Sequence, residues 1–204
     1  MRRKIRGIFC GLAMLPVVAC GAPPPPQAED VTRLAAEIRA LDPAVDPEEA
    51  ARAARIAYTQ AHDLALAYEI TDPPIIHNTK VNMGLKPRGL CWHWAHDMEK
   101  RLKRERFETL DLHRAVANAE NAFRLEHSTA IISAKGASFD EGIVLDPWRR
   151  GGRLTAVPVK ADSAYKWQPR NEVVARALER EHGQIVTLTD DQRLLMGGIE
   201  FVAQ

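Results

Sequence analysis

GLCWHWAHDM, residues 89–98, contains the only cysteine outside the first twenty residues of the chain, followed at once by two tryptophans and two histidines. From Cys91 to about Arg106 the pattern is helical. At about 100° per residue, Cys91, Trp94, Ala95, Met98 and Leu102 fall in one stripe about 100° wide, the width of a core-facing surface. The pairs Asp97/Arg101 and Glu99/Lys103 suit the opposite, exposed face. Cys91 therefore heads a buried stripe at a helix start, where the unsatisfied N–H groups and the positive end of the helix dipole favour a thiolate.

Downstream of this helix the period changes. FETLDLHRAV, FRLEHSTAIIS, GIVLD and RLTAVPV are short runs of β-branched or alternating residues, separated by the turn-like ANAEN, AKGASFDE and PWRRGG. An antiparallel sheet packed on the Cys91 helix is the economical reading, which makes the fold class α+β. Upstream lies a helical lead-in. Asp30 can cap a helix over VTRLAAEIRAL, and Asp46 with Pro47, Glu48 and Glu49 opens a longer alanine-rich helix to about Ile70. TDPPIIHNTKVNMGLKPRG has proline and glycine punctuation without a sustained period and reads as a long loop entering the Cys91 segment. The final helical pattern NEVVARALEREH and the segment DQRLLMGG suggest no function.

Two residues on the expected strands can serve a thiol. His127 opens HSTAIIS, and Asp146 ends GIVLD before Pro147, a position biased to extended geometry. Adjacent antiparallel strands can set them side by side. A cysteine nucleophile needs a base to take its proton, and that base needs a third group to fix its tautomer and orientation. Cys91, His127 and Asp146 supply the three roles in that order.

GLCWHWAHDM, a histidine opening a strand 36 residues after Cys91, and VLDPW with its aspartate 19 residues later together resemble the transglutaminase-like branch of the papain-like cysteine enzymes. The resemblance covers roughly residues 85–153. It implies Cys91 as nucleophile, His127 as general base and acid, and Asp146 as orienting group. The chain departs from papain itself, because no CGSCW surrounds Cys91 and no glutamine closely precedes it to complete an oxyanion hole. The backbone N–H of Cys91, with the side chain of Asn82 or His77, is the available substitute.

The amino terminus explains why Cys91 has no partner. MRRKIR is a basic segment, and GIFCGLAMLPVVA is an apolar run too short for an ordinary transmembrane helix. LPVVAC resembles the lipobox of bacterial lipoproteins, in which the signal is removed just before a cysteine that receives a diacylglycerol on its sulfur. Residues 1–19 are then a signal peptide carrying Cys10 away, and Cys20 is committed to a thioether; the alternative is an ordinary signal peptide or a membrane anchor. Residues 20–29, CGAPPPPQAE, form a proline-rich extended spacer holding a single domain, residues 30–204, away from a lipid surface. The expected location is the bacterial cell envelope, with Gly21 compatible with sorting to the outer membrane facing the periplasm. A lone thiol in that oxidising compartment implies intermolecular pairing, a retained reactive group or an inert core residue.

Length and charge bound the rest. The 204 residues, 46% apolar and 27% charged, suffice for one core. Four of the 28 basic residues lie within residues 1–19, which leaves 24 against 27 acidic ones and argues against a nucleic-acid partner. The expected partners are a membrane, through Cys20, and a peptide, protein or cell-wall substrate. Zinc on Cys91, His93 and His96 is opposed by geometry, because the histidines lie about 200° and about 140° around the helix from the cysteine. No metal or other cofactor is expected. His62, His77, His93, His96 and His113 read as surface or partly buried residues, Trp92, Trp94 and Trp148 as core or pocket wall, and Arg149, Arg150 and Arg153 as a solvated turn or an anion site. The leading expectation is an envelope cysteine hydrolase or acyltransferase, and the rival is a non-catalytic lipoprotein using the same fold as a scaffold.

Overall fold

The computed structural model describes residues 23–121, 123–180 and 182. Cys10, Cys20 and DQRLLMGG lie outside them. Helix α1 (Ala28–Arg39) is preceded by Gln27, whose extended backbone turns into the helix without a side-chain cap. Asp30, the expected cap, instead sits in the first turn with Glu29, where a negative charge meets the dipole, and pairs with Arg33 at 2.5 Å. Helix α2 (Pro47–Ala67) begins as expected. Asp46 Oδ1 accepts the N–H groups of Glu48 (2.7 Å) and Glu49 (2.9 Å), and Pro47 stands where its missing N–H costs nothing. Its buried face is mainly alanine (Ala50, Ala53, Ala54, Ala57, Ala61, Ala65), and small residues let α1 and the next helices approach closely. The helix stops at Ala67, short of Ile70, as Glu69 enters the left-handed region at φ 53°.

The stretch read as a long loop contains a helix, α3 (Pro74–Asn82). Pro74 sits in its first turn, which is compatible with helix, so the prolines open the element rather than break it. Periodicity failed to reveal it because its exposed face carries Ile75, Ile76 and, at its cap, Met83, while His77 is buried.

Helix α4 (Cys91–Lys103) buries Cys91, Trp94, Ala95, Met98 and Leu102, the expected stripe. On its outer face Lys103 pairs with Glu99 at 2.8 Å, but Asp97 turns back to Arg88 (2.9 Å) and Tyr68 Oη (2.6 Å) rather than to Arg101. Asp97 thus fastens α2 and the incoming loop to α4.

Strands β1 (Leu110–Ala117), β2 (His127–Ala134), β3 (Ile143–Asp146) and β4 (Thr155–Pro158) form an antiparallel sheet with a short fifth strand, β5 (Gln168–Pro169), in the order β4-β3-β2-β1-β5. The fold is α+β. β5 escaped the sequence reading because two residues carry no period. One face of the sheet, with Leu110, Ala130, Ile132 and Leu145, packs with Met98 and Leu102 of α4 and the buried faces of α1 and α2. The other carries Ala115, Ala117, Ile131 and Val144 under Trp167 and Tyr165. Every residue of β2, the central strand, is buried. Residues 170–180 are helical, as the NEVVARALEREH pattern suggests. Among the described residues no helix is long and apolar enough to cross a membrane.

Candidate active site

The approach to Cys91 is moulded by Gly89. Its backbone has φ +130°, and a Cβ there would stand 2.4 Å from His77 Nε2. Its carbonyl accepts Trp94 Nε1–H at 2.9 Å, while its N–H and that of Leu90 both donate to His93 Nδ1 at 3.2 Å. His93 is therefore a buried capping residue rather than a surface one, and its acceptor nitrogen is spent on the loop. His77 is likewise buried, with Nε2 on the Arg88 carbonyl at 2.8 Å. His96 is exposed and His62 and His113 half-buried. Gly89→Ala is expected to cost about 2–4 kcal/mol, a fall in Tm of roughly 5–15 °C, because it adds left-handed strain to an overpacked contact. A thermal melt checks this, and a shift below about 2 °C would show that the loop tolerates a Cβ.

This loop delivers Cys91 to the first turn of α4, where its own N–H and that of Trp92 precede the helical bonding pattern. The thiol is buried and directs a weak 3.7 Å hydrogen bond to the carbonyl of Glu126, the residue before His127. His127 opens β2 and is 1% exposed. β3 runs antiparallel beside β2, with Ala130 opposite Leu145, so Asp146 falls on the same side as His127. His127 Nε2 donates to Asp146 Oδ2 at 2.6 Å. The carboxylate fixes the tautomer with the proton on Nε2. Nδ1, across the ring, is buried without a hydrogen-bond partner. Burial alone would lower the pKa of His127, but the hydrogen bond to Asp146 and the nearness of Asp146 and Cys91 raise it to about 9.

The structure thus brings the three expected residues together, and adds a layer the sequence reading missed. Asp146 Oδ1 accepts the N–H groups of Trp148 (3.1 Å) and Arg149 (3.4 Å), holding the turn beyond Pro147. Asp146 Oδ2 takes Arg149 Nε at 2.6 Å beside its bond from His127. Arg149 then forks onto Asp162, through Nη1 at 3.1 Å and through Nη2, and Asp162 also accepts Trp167 Nε1 at 2.9 Å. Arg149 is neither a solvated turn residue nor an anion site: its donors are committed to two buried carboxylates. Burial opposes ionisation of Asp162, but Arg149 and Trp167 hold its carboxyl below the usual range. The rings of Trp148, Tyr165 and Trp167 lie 4.6, 4.6 and 5.4 Å from that of His127, and Arg149 stacks 4.7 Å over Tyr165. This aromatic cover keeps bulk water from the imidazole.

Of the expected oxyanion side chains, Asn82 is exposed at the far end of α3 and His77 is tied to the Arg88 carbonyl. Asn78 is the α3 residue joined to the site. Its Oδ1 accepts Trp148 Nε1–H at 3.1 Å, a bond that orients the amide and leaves its N–H donors to be used elsewhere. Trp92, by contrast with the buried Trp94 and Trp148, is half-exposed beside Cys91 and packs on the His93 ring at 3.9 Å. A cavity lined by His113, Arg114, Ser138 and Asn171 touches none of the three central residues. Among the described residues no cluster of three metal-ligating side chains occurs.

Neither family models, nor curated proteins, nor solved structures give a match to this chain. The functional reading therefore rests on the site itself.

Proposed function

We propose that the chain is a lipid-anchored envelope enzyme, a cysteine hydrolase or acyltransferase acting on an amide or ester carbonyl, as its resemblance to the transglutaminase-like branch of papain-like enzymes implies. The observation that carries the reading is the state of His127. An unpartnered buried Nδ1 does not by itself set His127 apart, since His77 has one too; what differs is the partner on the other nitrogen, a carbonyl for His77 and a buried carboxylate for His127. His127 has one nitrogen locked on a buried carboxylate and the other buried, unpartnered and next to a thiol. With its pKa raised to about 9, that arrangement suits a group that takes the thiol's proton and holds it through neutral pH.

In the reaction, His127 Nδ1 takes the Cys91 proton and the thiolate attacks the carbonyl carbon. The C–S bond forms as the carbonyl π pair moves to oxygen. The first-turn N–H groups of α4, with Asn78 as a side-chain candidate, would meet that oxyanion. Collapse breaks the bond to the leaving amine or alcohol, which takes the proton back from His127. Water or an amine then attacks the thioester, His127 receives its proton, and Cys91 leaves as thiolate. Asp146 keeps the imidazole in the required tautomer throughout and Arg149 holds Asp146.

The direct test is labelling of the purified mature protein by a carbonyl-directed electrophile, with peptide mapping. Stoichiometric modification at Cys91, reduced at least tenfold in Asp146→Ala, is expected. Labelling that needs unfolding would return Cys91 to the inert core and favour the scaffold reading. For the anchor, Cys20→Ser is expected to abolish lipid labelling and leave the signal uncleaved. Normal processing of that variant would rule out the lipobox.

A further inference from the structure

Helix α3 is turned inside out. Ile75, Ile76 and Met83, with Leu85 in the following loop, are 58, 50, 67 and 65% exposed, while His77 between them is 1% exposed. At about 100° per residue Ile75, Thr79, Met83 and Ile76 share one stripe about 100° wide, so the exposure is a continuous face rather than scattered side chains. The inner side is occupied by the site, through Asn78 to Trp148.

The start of the described chain lies against the same region. Pro23 Cγ stands 2.9 Å from where a Cβ on Gly152 would be, and the neighbouring Gly151 faces the carbonyl of Asp72, which leads directly into α3. Residues 24–27 continue along Tyr58, His62, Arg150 and Leu154. Cys20 is three residues before Pro23, so the attachment point lies within about 11 Å of Pro23 even with the backbone fully extended. The proline-rich segment leaves no room for the domain to stand off.

We propose that the outer face of α3 rests on the lipid bilayer to which Cys20 is attached, and this rests on the lipid-anchor reading. The occupant is lipid because the tether delivers this face, and not the opposite end of the sheet, to the membrane at an effective concentration in the mM range. Lys80 and Lys86 at the rim are paired with Asp72 (2.7 Å) and Glu69 (2.9 Å), so the contact is apolar rather than electrostatic. Its consequence is orientation: the turn that carries Trp148 and Arg149 touches α3, so the Cys91 site works close to the membrane surface on membrane-proximal substrates.

The test reconstitutes the full-length mature protein in phosphatidylcholine vesicles containing a share of phosphatidylcholine with a photoactivatable diazirine in its acyl chain. After illumination, labelled peptides are mapped and the mass of the amino-terminal peptide is read. Label concentrated in residues 74–86, unchanged at high salt, is expected. In Ile75→Ser/Ile76→Ser/Met83→Ser it should fall several-fold while the lipid on Cys20 and the alkylation rate of Cys91 are retained. A lipidated protein with no label on 74–86, or with label centred instead on Phe123 and Leu125, overturns the docking and leaves the anchor standing. An unlipidated protein that still labels on 74–86 when mixed with vesicles overturns the anchor alone, and one that does not label overturns both.

Discussion

His127→Ala is expected to lower the alkylation rate of Cys91 near pH 6.5 by one to two orders of magnitude, and turnover of a true substrate by about 10²–10⁴-fold. Without the imidazole no base stands beside the sulfur to take its proton. The effect should exceed that of Asp146→Ala, which leaves the base in place but frees its tautomer and its ring orientation. Asp146→Asn should be intermediate, since its amide oxygen can still accept from Nε2. The pH dependence of stability separates this role from architecture. The pKa of His127 is raised from 6.5 to about 9 on folding, so its protonated form is bound more tightly in the native state. The contribution is fully present below the unfolded value of 6.5 and is lost as pH rises through about 9. The Tm advantage of wild type over His127→Ala should therefore shrink between those limits. Thiol reactivity in the folded variants identical to that of wild type would reduce the constellation to a coincidence of spacing.

The features legible in the sequence were those written in local periods. The α4 stripe, the four longer strands and the Asp46 cap each follow from a hydrophobic repeat or a capping residue within a few positions. Cys91, His127 and Asp146 were legible because each sits at an element boundary, where the chain itself advertises the position: a glycine before the helix, a strand start, a proline after the strand. α3 was not legible because its apolar residues point outward and its buried residue is a histidine, which inverts the pattern used to find helices. Asp162 and Trp167 were hidden for a different reason. Their partner Arg149 is 13 and 18 residues away, joined only when the connection from β4 to β5 carries the chain from one edge of the sheet to the other, and no local spacing encodes that return. Arg149 itself carried a usable signal, three residues after Asp146 across a proline turn, but in sequence it was one of three arginines in a charged turn.

Arg149→Ala is expected to be the most destabilising single change in the site, by about 3–5 kcal/mol, a fall in Tm of roughly 6–20 °C. The side chains of Asp146 and Asp162 are only 1% and 3% exposed, and Arg149 neutralises both. Removing it leaves two buried carboxylates with one cation, His127, and Asp162 with only the Trp167 indole and the backbone N–H of Ala164. The cost arises from orphaned charge rather than from lost attraction, so a second substitution that removes an orphan should restore stability. Arg149→Ala/Asp162→Asn is expected to melt above Arg149→Ala alone, although it carries one more change. Arg149→Lys keeps the charge but cannot form the fork, and should fall between wild type and the alanine variant. The same loss should act on the chemistry. With Arg149 gone, Asp146 has His127 as its remaining side-chain cation and holds the imidazolium more firmly, so the ring should titrate at higher pH, read by NMR of its carbon-bound protons. A folded Arg149→Ala with unchanged Tm and unchanged His127 titration would show that water, and not this arginine, compensates the two carboxylates.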